Sequence, residues 1–323
     1  MKSKIFITGS SGFIGFHVAK NLLDKGFKIH GLDSMNNYYD VEIKKDRLAI
    51  LKKYRNFSFT QNLLQNEKNI DKIVSKFKPS VIIHLAAQAG VRYSIENPDE
   101  YLKSNIIGTF NILNISRKNN IKHLIIGSSS SVYGANKKSP FKETHKTDHQ
   151  VSFYAATNKS TESIAHSYSS LWKLPVTMLR FFTVYGPWGR PDMAYWSFTK
   201  NILEQTPIKM FNHGNLERDF TYIDDVVYGI AASLNVLSQR PLILNLGSHR
   251  PVNLKRFIEI IETSAGQKAI IESVKMQSGD VPRTYANISR SRQVLGYNPT
   301  TSLEDGISRF VTWYQRIKLE RFS

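Results

Sequence analysis

The sequence predicts an α/β protein, with a Rossmann-type doubly wound parallel sheet followed by a smaller C-terminal α/β domain. Short apolar runs alternate with stretches whose apolar residues recur at helical spacing. The predicted strands are continuous runs of Val, Ile and Leu, which is typical of parallel strands buried on both faces. After residue 181 the alternation becomes irregular, and Phe, Tyr, Trp, Pro and Arg concentrate over residues 181–222.

The elements follow one another in a regular order. The predicted strands are Lys4 to Thr8, Lys28 to Leu32, Phe57 to Thr60, Ser80 to Ala87, Lys122 to Ile126, Val176 to Phe181 and Leu242 to Gly247. The predicted helices are Gly12 to Lys25, Ile70 to Phe77, Asp99 to Arg117, Tyr154 to Leu171, 224–237, 255–264 and 303–317. We therefore predict a Rossmann domain over residues 1–180, to which the chain returns near 222–247. Residues 181–323 form mainly a second, interleaved domain that we expect to bind substrate.

The net charge of +18 raises the question of nucleic-acid binding. The basic residues occur as scattered pairs, such as Lys44-Lys45 and Lys137-Lys138, without a run of five or six like charges. This pattern is typical of a Lys-rich solvated surface, which also attracts anionic small molecules. We predict no nucleic-acid partner.

Composition also limits the compartment and the chemistry. The 323 residues include no cysteine, which excludes disulfides, thiolate metal sites and cysteine nucleophiles. No apolar run approaches the roughly 20 residues of a membrane helix. Met1 to Thr8 lacks the apolar core and cleavage site of a signal peptide. We predict a cytoplasmic protein with no membrane partner and no metal site.

A glycine-rich turn, Thr8 to Gly15, follows the first strand and opens a helix. That context is the one in which glycines let a backbone approach a pyrophosphate, whose charge the helix N-terminus stabilises. Gly9, Gly12 and Gly15 alone would also suit a turn that only packs closely. Asp33 favours the dinucleotide interpretation, because it ends the second strand, where a carboxylate accepts hydrogen bonds from a ribose and repels a 2′-phosphate. We predict NAD rather than NADP.

Tyr154 and Asn158 lie four positions apart at the start of a predicted helix, and thus one turn apart on one face. This geometry can tune a phenol for acid–base chemistry. The run Ser128 to Ser131 follows the fifth strand, and ligands of open α/β sheets bind beyond the carboxyl ends of the strands. Serine clusters are often only loops, but at this position the hydroxyls favour a polar substrate.

These features resemble the extended short-chain dehydrogenase/reductases, and within them the UDP-glucuronate 4-epimerases. The matching segments are Thr8 to Gly15, Asn36 to Val41, His84 to Ser94, Ser128 to Gly134, Arg180 to Met193 and Arg218 to Asp225. Together they span nearly the whole chain. The segment from Arg180 to Met193 is far more specific than the glycine turn.

The resemblance implies an NAD-dependent isomerase that interconverts UDP-glucuronate and UDP-galacturonate for surface polysaccharide synthesis. It implies that Tyr154, assisted by Ser129, removes the proton of the sugar 4-hydroxyl while NAD⁺ takes hydride from C4. The 4-keto sugar then rotates and receives the hydride on its other face. A free tyrosine has a pKa of about 10, so it needs cationic neighbours near neutrality, and the nicotinamide ring supplies one charge.

The resemblance also implies the binding residues. For the cofactor they are Gly9, Gly12, Phe13, Ile14, Asp33, Asn37, Asn62, Leu63, Ala86, Ala87, Asn105, Tyr154 and Asn158. Ser129, Ser130 and Thr183 would hold the uronate carboxylate out of the geometry in which the β-keto acid loses CO₂. Arg190 either adds charge there or anchors the surface. Arg218 suits the UDP pyrophosphate, unless it pairs with Asp219 or Asp224, and Asp280 and Arg283 match a loop that closes over the nucleotide in relatives.

Three positions depart from the family pattern. Asn62 and Asn287 stand where relatives carry Asp. We expect a small effect on cofactor binding at Asn62 and a structural change near the substrate loop at Asn287. The larger departure is Asn158, which replaces the lysine of Tyr-x-x-x-Lys, with Lys159 one place along. Lys159 is turned by about 100° around the helix, so it does not occupy the same place. We predict a slow enzyme whose pH optimum lies higher than it would with lysine.

Alternatives stay open at this point. A UDP-N-acetylhexosamine 4-epimerase, or another nucleotide-sugar activity, would use the same scaffold. A 4,6-dehydratase is disfavoured because Ser129, Ser130 and Ser131 supply no carboxylate for its elimination step. The loss of lysine at position 158 also allows a non-catalytic NAD- or nucleotide-sugar-binding protein. Relatives suggest a homodimer through the helices Asp99 to Arg117 and Tyr154 to Leu171.

Overall fold

A computed structural model describes residues 3–238, 240–275 and 281–322 of the chain. Within these ranges the strands are β1 (Lys4–Thr8), β2 (Lys28–Asp33), β3 (Phe57–Gln61), β4 (Val81–His84), β5 (His123–Ser129), β6 (Val176–Phe181), β7 (Thr183–Tyr185), β8 (Ile208–Phe211), β9 (Glu217–Tyr222), β10 (Leu242–Leu246), β11 (Pro251–Asn253) and β12 (Ile271–Val274). Most strand boundaries in the first 180 residues agree closely with the sequence predictions.

The helices within the same ranges are α1 (Phe13–Asp24), α2 (Val41–Lys52), α3 (Glu67–Phe77), α4 (Tyr93–Glu96), α5 (Pro98–Tyr101), α6 (Gly108–Lys118), α7 (Phe153–Trp172), α8 (Ala194–Leu203), α9 (Ile223–Ser233), α10 (Leu254–Ala265), α11 (Ser289–Leu295) and α12 (Leu303–Phe322). A π-helical segment, Leu102–Ile107, joins α5 to α6, and a 3₁₀ turn, Ser130–Tyr133, follows β5. None of the described helices is both long enough and apolar enough to cross a membrane.

Seven strands form one parallel sheet in the order β10-β6-β5-β4-β1-β2-β3. Ile5 of β1 lies opposite Ile29 of β2 on one side and Val81 of β4 on the other. The strand order therefore reverses between β1 and β4, and ligands of open α/β sheets bind beyond the carboxyl ends of the strands at such a point.

Apolar side chains cover both faces of this sheet. Ile5 and Ile7 of β1 belong to one buried core and Phe6 to the other, because side chains alternate along a strand. The first core includes residues of α1, α2 and α9, and the second includes residues of α3, α6 and α7. Helices on both faces bury the continuous apolar strands, which confirms the predicted Rossmann-type doubly wound sheet.

Beyond β6 the chain builds smaller sheets, one in the order β11-β9-β7 and one of β12 and β8. Their core is aromatic, as in the stacked rings of Phe220 and Phe257, whose centroids are 4.1 Å apart. Strand β10 lies in the large sheet beside β6. The division into residues 1–180 and 181–323 stays a prediction.

Several elements differ from the sequence predictions, and three of these differences bear on the site. The single helix predicted from Asp99 to Arg117 is divided into α5, the π-helical segment and α6. The strand predicted from Ser80 to Ala87 ends at His84, because the chain leaves the sheet there to form the site described below. Helix α2 shows no apolar periodicity, since its buried positions include Lys44 and Arg47.

Candidate active site

One cavity of about 850 Å³ lies beyond the carboxyl ends of β1, β4 and β5. Most of the predicted site residues line it, namely Gly9, Gly12, Phe13, Ile14, Asp33, Asn62, Leu63, Ala86, Ala87, Ser129, Ser130, Tyr154, Asn158, Thr183, Arg190 and Arg218. The glycine turn, the tyrosine and the predicted sugar-binding residues therefore share one space. Its volume suits a small-molecule ligand held largely inside the protein.

The glycine turn is closed too tightly for other residues. Gly9 has a φ of +72°, and a Cβ on it would lie 2.7 Å from the backbone nitrogen of Ala86. A Cβ on Gly15 would overlap the carbonyl oxygen of Gly9. Helix α1 starts directly after the turn without a side-chain cap, so its first N–H groups face the cavity side without a capping oxygen. The hydroxyl of Ser11 is buried there without a hydrogen-bond partner among the described residues.

Asp33 is held in place beside this turn. Its carboxylate accepts hydrogen bonds from the backbone N–H groups of Ser11, at 3.0 Å, and Met35, at 2.9 Å. The backbone N–H of Asn62 donates to the Asp33 carbonyl, and the Asn62 side-chain oxygen accepts from the N–H of Leu63. The amide at position 62 is therefore accommodated locally. A carboxylate fixed in this way suits the ribose hydroxyls of a dinucleotide.

Lys44 is a lining residue that the sequence analysis does not assign to the site. Its ammonium group donates to the backbone and side-chain oxygens of Asn36, at 2.8 and 2.5 Å. Burial lowers the Lys44 pKa to about 8, although the charge of Asp33 opposes that shift. Lys44 lies three residues before Arg47, so the two basic residues share one face of α2, and that face is buried. This spacing of two basic residues is the feature of the sequence that could have indicated a role for Lys44 in the site.

Helix α7 presents Tyr154 in its first turn. Ser152 caps the helix by accepting from the N–H of Ala155 at 3.1 Å, and Ser94 accepts from the N–H of Tyr154 at 3.1 Å. The Tyr154 ring is half-buried and meets Tyr101 edge to face, with centroids 6.0 Å apart. Backbone contacts from two sides thus fix where the phenol lies.

Asn158 is buried one turn later, and its side-chain amide donates to the carbonyl oxygen of Tyr154 at 2.8 Å. This is a hydrogen bond to its own helix, and it brings no charge to the phenol. Lys159 is half-buried and is not among the cavity-lining residues. The geometry agrees with the 100° offset expected for adjacent helical positions.

Ser129 ends β5 and caps the following 3₁₀ turn, because its hydroxyl accepts from the N–H of Ser131 at 3.1 Å. Ser130 and Ser131 also line the cavity, and the Ser131 hydroxyl is buried without a hydrogen-bond partner among the described residues. Buried hydroxyls normally have a partner, so the orphaned hydroxyl of Ser131 in the cavity wall points to a polar ligand.

A buried ion pair supports the serine run from behind. The guanidinium of Arg180 binds both carboxylate oxygens of Glu162, at 2.9 and 2.8 Å, and both side chains are only 2–3% exposed. Ser128 donates to the same carboxylate at 2.7 Å. Burial opposes the charge of Arg180, but Glu162 outweighs it and raises the Arg180 pKa. Since Glu162 is on α7 and Ser128 precedes Ser129, the pair joins the tyrosine helix to the serine strand.

Thr183 and Arg190 lie on the segment that follows β6 and also line the cavity. Arg190 forms an ion pair with Asp192, with nitrogen–oxygen distances of 3.0 and 2.5 Å, and the Tyr38 hydroxyl donates to the same carboxylate at 3.2 Å. Burial, and then the charge of Asp192, raise the Tyr38 pKa to about 12. Tyr38 and Asp192 both lie in segments matched by the resemblance, although neither was assigned to the site.

Arg218 lines the cavity and donates to the carbonyl oxygens of Glu217, at 3.0 Å, and Pro282, at 3.3 Å. The alternative partner Asp219 is fully buried, and its carboxylate accepts from the N–H groups of Ser248, His249 and Ala286. Arg218 is thus positioned at the cavity wall by backbone oxygens.

Three of the predicted binding residues do not line the cavity, and another lies outside the described residues. Asn37 is exposed, next to the lining residues Asn36 and Tyr38. Arg283 pairs with Glu217 at 2.7 Å and has a side chain that is 46% exposed, between lining residues 281 and 284. Asp280 lies outside the described residues.

Asn105 does not line the cavity either, and its side-chain amide makes its hydrogen bonds within the protein. It accepts from the N–H of Gln88 at 2.7 Å and donates to the Gln88 carbonyl and the Thr157 hydroxyl, both at 3.0 Å. It lies in the π-helical segment, and such segments are frequent at functional sites. Asn105 therefore joins the loop after β4 to α7 rather than lining the cavity.

The strand order, the glycine turn at the reversal point and the tyrosine and serines in one cavity define a nucleotide-binding Rossmann enzyme. A family model described as GDP-mannose 4,6 dehydratase matches residues 6–310. The chain belongs to this family, which is part of the extended short-chain dehydrogenase/reductases.

Its relatives narrow the comparison. The chain is 48% identical to "Protein CapI" of Staphylococcus aureus, over 96% of this chain and 98% of that one. It is 44% identical to a "Probable UDP-glucuronate 4-epimerase" of Rhizobium meliloti, over 97% of each chain. The crystal structure of UDP-glucuronic acid 4-epimerase from Bacillus cereus, in complex with UDP-glucuronic acid and NAD, matches with a TM-score of 0.93 and 32% identity, covering 97% of this chain and 99% of that one.

Proposed function

We propose that this protein is an NAD-dependent UDP-glucuronate 4-epimerase, an isomerase that forms UDP-galacturonate. The observation that carries the proposal is the single cavity in which the dinucleotide turn, Tyr154 and the hydroxyls of Ser129, Ser130 and Thr183 meet. Relatives with this activity align over nearly the whole chain.

The residues at the switch point fit NAD. The turn at Gly9 leaves no room for a Cβ, and the Asp33 carboxylate is fixed by two backbone N–H groups. Phe13, Ile14, Leu63, Ala86 and Ala87 add the mainly apolar walls, together with Gly12 and Asn62. When bound, NAD supplies the acceptor, and later the donor, of the hydride at sugar C4.

Tyr154 takes the proton of the sugar 4-hydroxyl and returns it after the sugar has turned over. Ser129, the last residue of β5, hydrogen-bonds the same hydroxyl. Both hydride and proton return to the substrate, on the opposite face of C4, so no oxidant is consumed. Asn158 orders the first turn of α7 through its bond to the Tyr154 carbonyl but adds no positive charge.

The carboxylate of the 4-keto sugar must be kept out of alignment, because a β-keto acid loses CO₂ when its carboxylate is free to orient. We propose that Ser130 and Thr183 bind this carboxylate and that Ser129 adds a third hydroxyl. Arg190 supplies positive charge nearby, balanced by Asp192. Arg218 binds the pyrophosphate of UDP, since an arginine presents several donors to phosphate oxygens. Arg283 and Asp280 belong, as a proposal, to the loop that covers the nucleotide.

The test is incubation of the purified protein with UDP-glucuronate, UDP-glucose and UDP-N-acetylglucosamine, with products resolved by chromatography. We expect UDP-galacturonate from UDP-glucuronate and no net NADH in the absorbance spectrum. Turnover of UDP-N-acetylglucosamine, with UDP-glucuronate left unchanged, would replace the proposal with the hexosamine activity. Surface polysaccharide synthesis is a further proposal, supported by the product being an activated sugar for glycosyl transfer.

We also propose a homodimer and a cytoplasmic location. Phe110 of α6 and Trp172 of α7 are 42% and 46% exposed, and both rings contact the buried ring of Tyr168. Leu171, beside Trp172, is 66% exposed. Light scattering on Phe110→Glu tests the dimer. We expect a monomer, whereas Leu319→Glu, on exposed Leu319 of α12, should leave the assembly unchanged; a monomeric unmodified protein would refute it.

A further inference from the structure

Arg47 of α2 is fully buried, at 0% exposure, yet no described residue offers it a carboxylate. A buried charge is normally paired with an opposite charge, because the loss of hydration is otherwise uncompensated. The four hydrogen-bond acceptors of Arg47 are neutral oxygen atoms, and its Nε–H has no partner among the described residues. This makes it distinct from the other deeply buried arginine, Arg180, which has Glu162 as its partner.

The four acceptors of Arg47 belong to two different parts of the site. One terminal nitrogen donates to the Ser11 carbonyl at 3.0 Å, within the glycine turn, and to the Tyr39 hydroxyl at 2.7 Å. The other terminal nitrogen donates to the carbonyls of Trp188 and Gly189, both at 2.7 Å. A single planar guanidinium thus joins the cofactor turn to the segment that precedes Arg190.

The joined segment, residues 186–193, is held tightly near Arg47. Trp188 has a φ of +58° and packs edge to face on Phe16 of α1, with centroids 5.9 Å apart. Gly189 lies directly against the Tyr195 ring, so no side chain fits there. Such a segment keeps its shape only while its backbone oxygens are bound, and Arg47 binds two consecutive ones.

We propose that Arg47 is a positioning residue that couples the cofactor half of the cavity to the sugar half. Its positive charge lies behind the turn at which a dinucleotide pyrophosphate binds, and the pyrophosphate supplies the negative charge that the protein does not. The same guanidinium fixes the backbone that carries Arg190. Occupation of one half therefore stabilises the other, so NAD and the uridine nucleotide bind cooperatively.

The proposal rests on the proposed function for the identity of its two ligands, and its test does not depend on turnover. The purified protein with its bound NAD is mixed with labelled NAD, and the exchange rate is measured with and without saturating UDP. In the unmodified protein we expect UDP to slow the exchange about tenfold, a usual size for coupling between two sites. The epimerase assay is run separately, so either result can fail alone.

Arg47→Lys keeps the charge but presents a single ammonium in place of a fork that reaches both segments. We expect UDP to slow NAD exchange less than about twofold in this variant, while amide hydrogen exchange accelerates at residues 9–15 and 186–193. Lys45→Met, which removes an exposed cation from the same helix, is the matched control and should behave as the unmodified protein.

Three outcomes would overturn the proposal. In the first, UDP does not change the rate of NAD exchange in the unmodified protein. In the second, Arg47→Lys keeps the full effect of UDP on that rate, and in the third, Lys45→Met loses it. Arg47→Met, which removes the charge as well, should lose the coupling and also release NAD faster. If Arg47→Met does not fold, Arg47→Lys still decides the question.

Discussion

The side-chain amide of Asn158 donates to the backbone carbonyl of Tyr154, 2.8 Å away. The Thr157 hydroxyl donates to the same carbonyl at 2.9 Å, so both polar side chains one turn beyond the tyrosine are bound to the helix itself. Asn158 leaves the phenol without a neighbouring protein cation at position 158.

Asn158→Lys should therefore accelerate the enzyme. A lysine at this position brings a positive charge that stabilises the phenolate, and about 1.4 kcal/mol of such stabilisation corresponds to roughly tenfold in the ionised fraction. We expect a rise of about tenfold in kcat near neutral pH and a pH optimum that moves downward. The measurement is a pH–rate profile: initial rates of the unmodified protein and of the variant are compared at about eight pH values from about 6 to 10. No gain at neutral pH would contradict the role given to position 158.

Lys159→Asn is the matched control for that experiment. Lys159 lies outside the cavity-lining set, so its removal should change kcat less than about twofold. A large loss in Lys159→Asn would mean that Lys159 supplies the charge after all, and the explanation based on Asn158 would then be wrong.

Tyr154→Phe should abolish turnover and leave ligand binding intact. Loss of a positioned acid–base group typically costs about 10² to 10⁴ in rate. The phenol hydroxyl makes no hydrogen bond with any described residue, so its removal should not disturb the fold. Turnover is followed by product chromatography and UDP affinity by calorimetry. Unchanged turnover would show that another group moves the proton.

The large sheet could be predicted from the sequence because its strands are buried on both faces. Continuous apolar runs such as Val81 to Ile83 in β4 indicate that environment directly. Helix α2 could not be predicted in the same way, because two of its buried positions are the basic residues Lys44 and Arg47. Their partners, Asn36 on one side and the turn at Ser11 on the other, come together only through tertiary folding.

The candidate site shows the same limit. Residues within a local motif, such as Gly9 and Asp33, line the cavity because strand ends and turns fix their positions. Asn105 lies outside the lining set, since a polar side chain can satisfy its hydrogen bonds with the protein as readily as with a ligand. Whether a side chain binds the protein or a ligand depends on which remote segments fold against it, as Gln88 and Thr157 do against Asn105. The spacing of residues along the chain does not give these distances.

Glu162→Gln should destabilise the protein strongly. It leaves the guanidinium of Arg180 buried without a compensating charge, and breaking a buried pair from one side costs about 3–5 kcal/mol. The change also weakens the bond from Ser128, so kcat should fall even where the protein is folded. Urea unfolding measures the free energy of unfolding, and Glu259→Gln, in the exposed pair with Arg256, should cost less than about 1 kcal/mol. Equal losses in both variants would refute the structural role of the buried pair.

Stability should fall as the pH decreases from 6.5 towards 4. Burial lowers the pKa of His17, His30, His84 and His123 to about 4, from an ordinary value of 6.5. Between these values the unfolded chain binds more protons than the folded protein, so the free energy of unfolding rises with pH. The stabilisation is complete above pH 6.5 and is lost progressively as the pH falls through this range.

His84 offers the sharpest test, because it is buried at the end of β4 and bonds Thr8 at 2.7 Å and Thr109 at 3.0 Å. His84→Gln removes its titration while keeping an amide that can bind a threonine hydroxyl. We expect the variant to be less stable at pH 7. Between pH 7 and pH 5, however, its free energy of unfolding should fall by about 1–2 kcal/mol less than that of the unmodified protein. Urea unfolding at the two pH values gives this difference. Equal losses of unfolding free energy in the two proteins would show that His84 is not among the groups responsible. Because Thr8 directly precedes the glycine turn, we also expect the variant to lose less of its bound NAD than the unmodified protein when the pH is lowered to about 5.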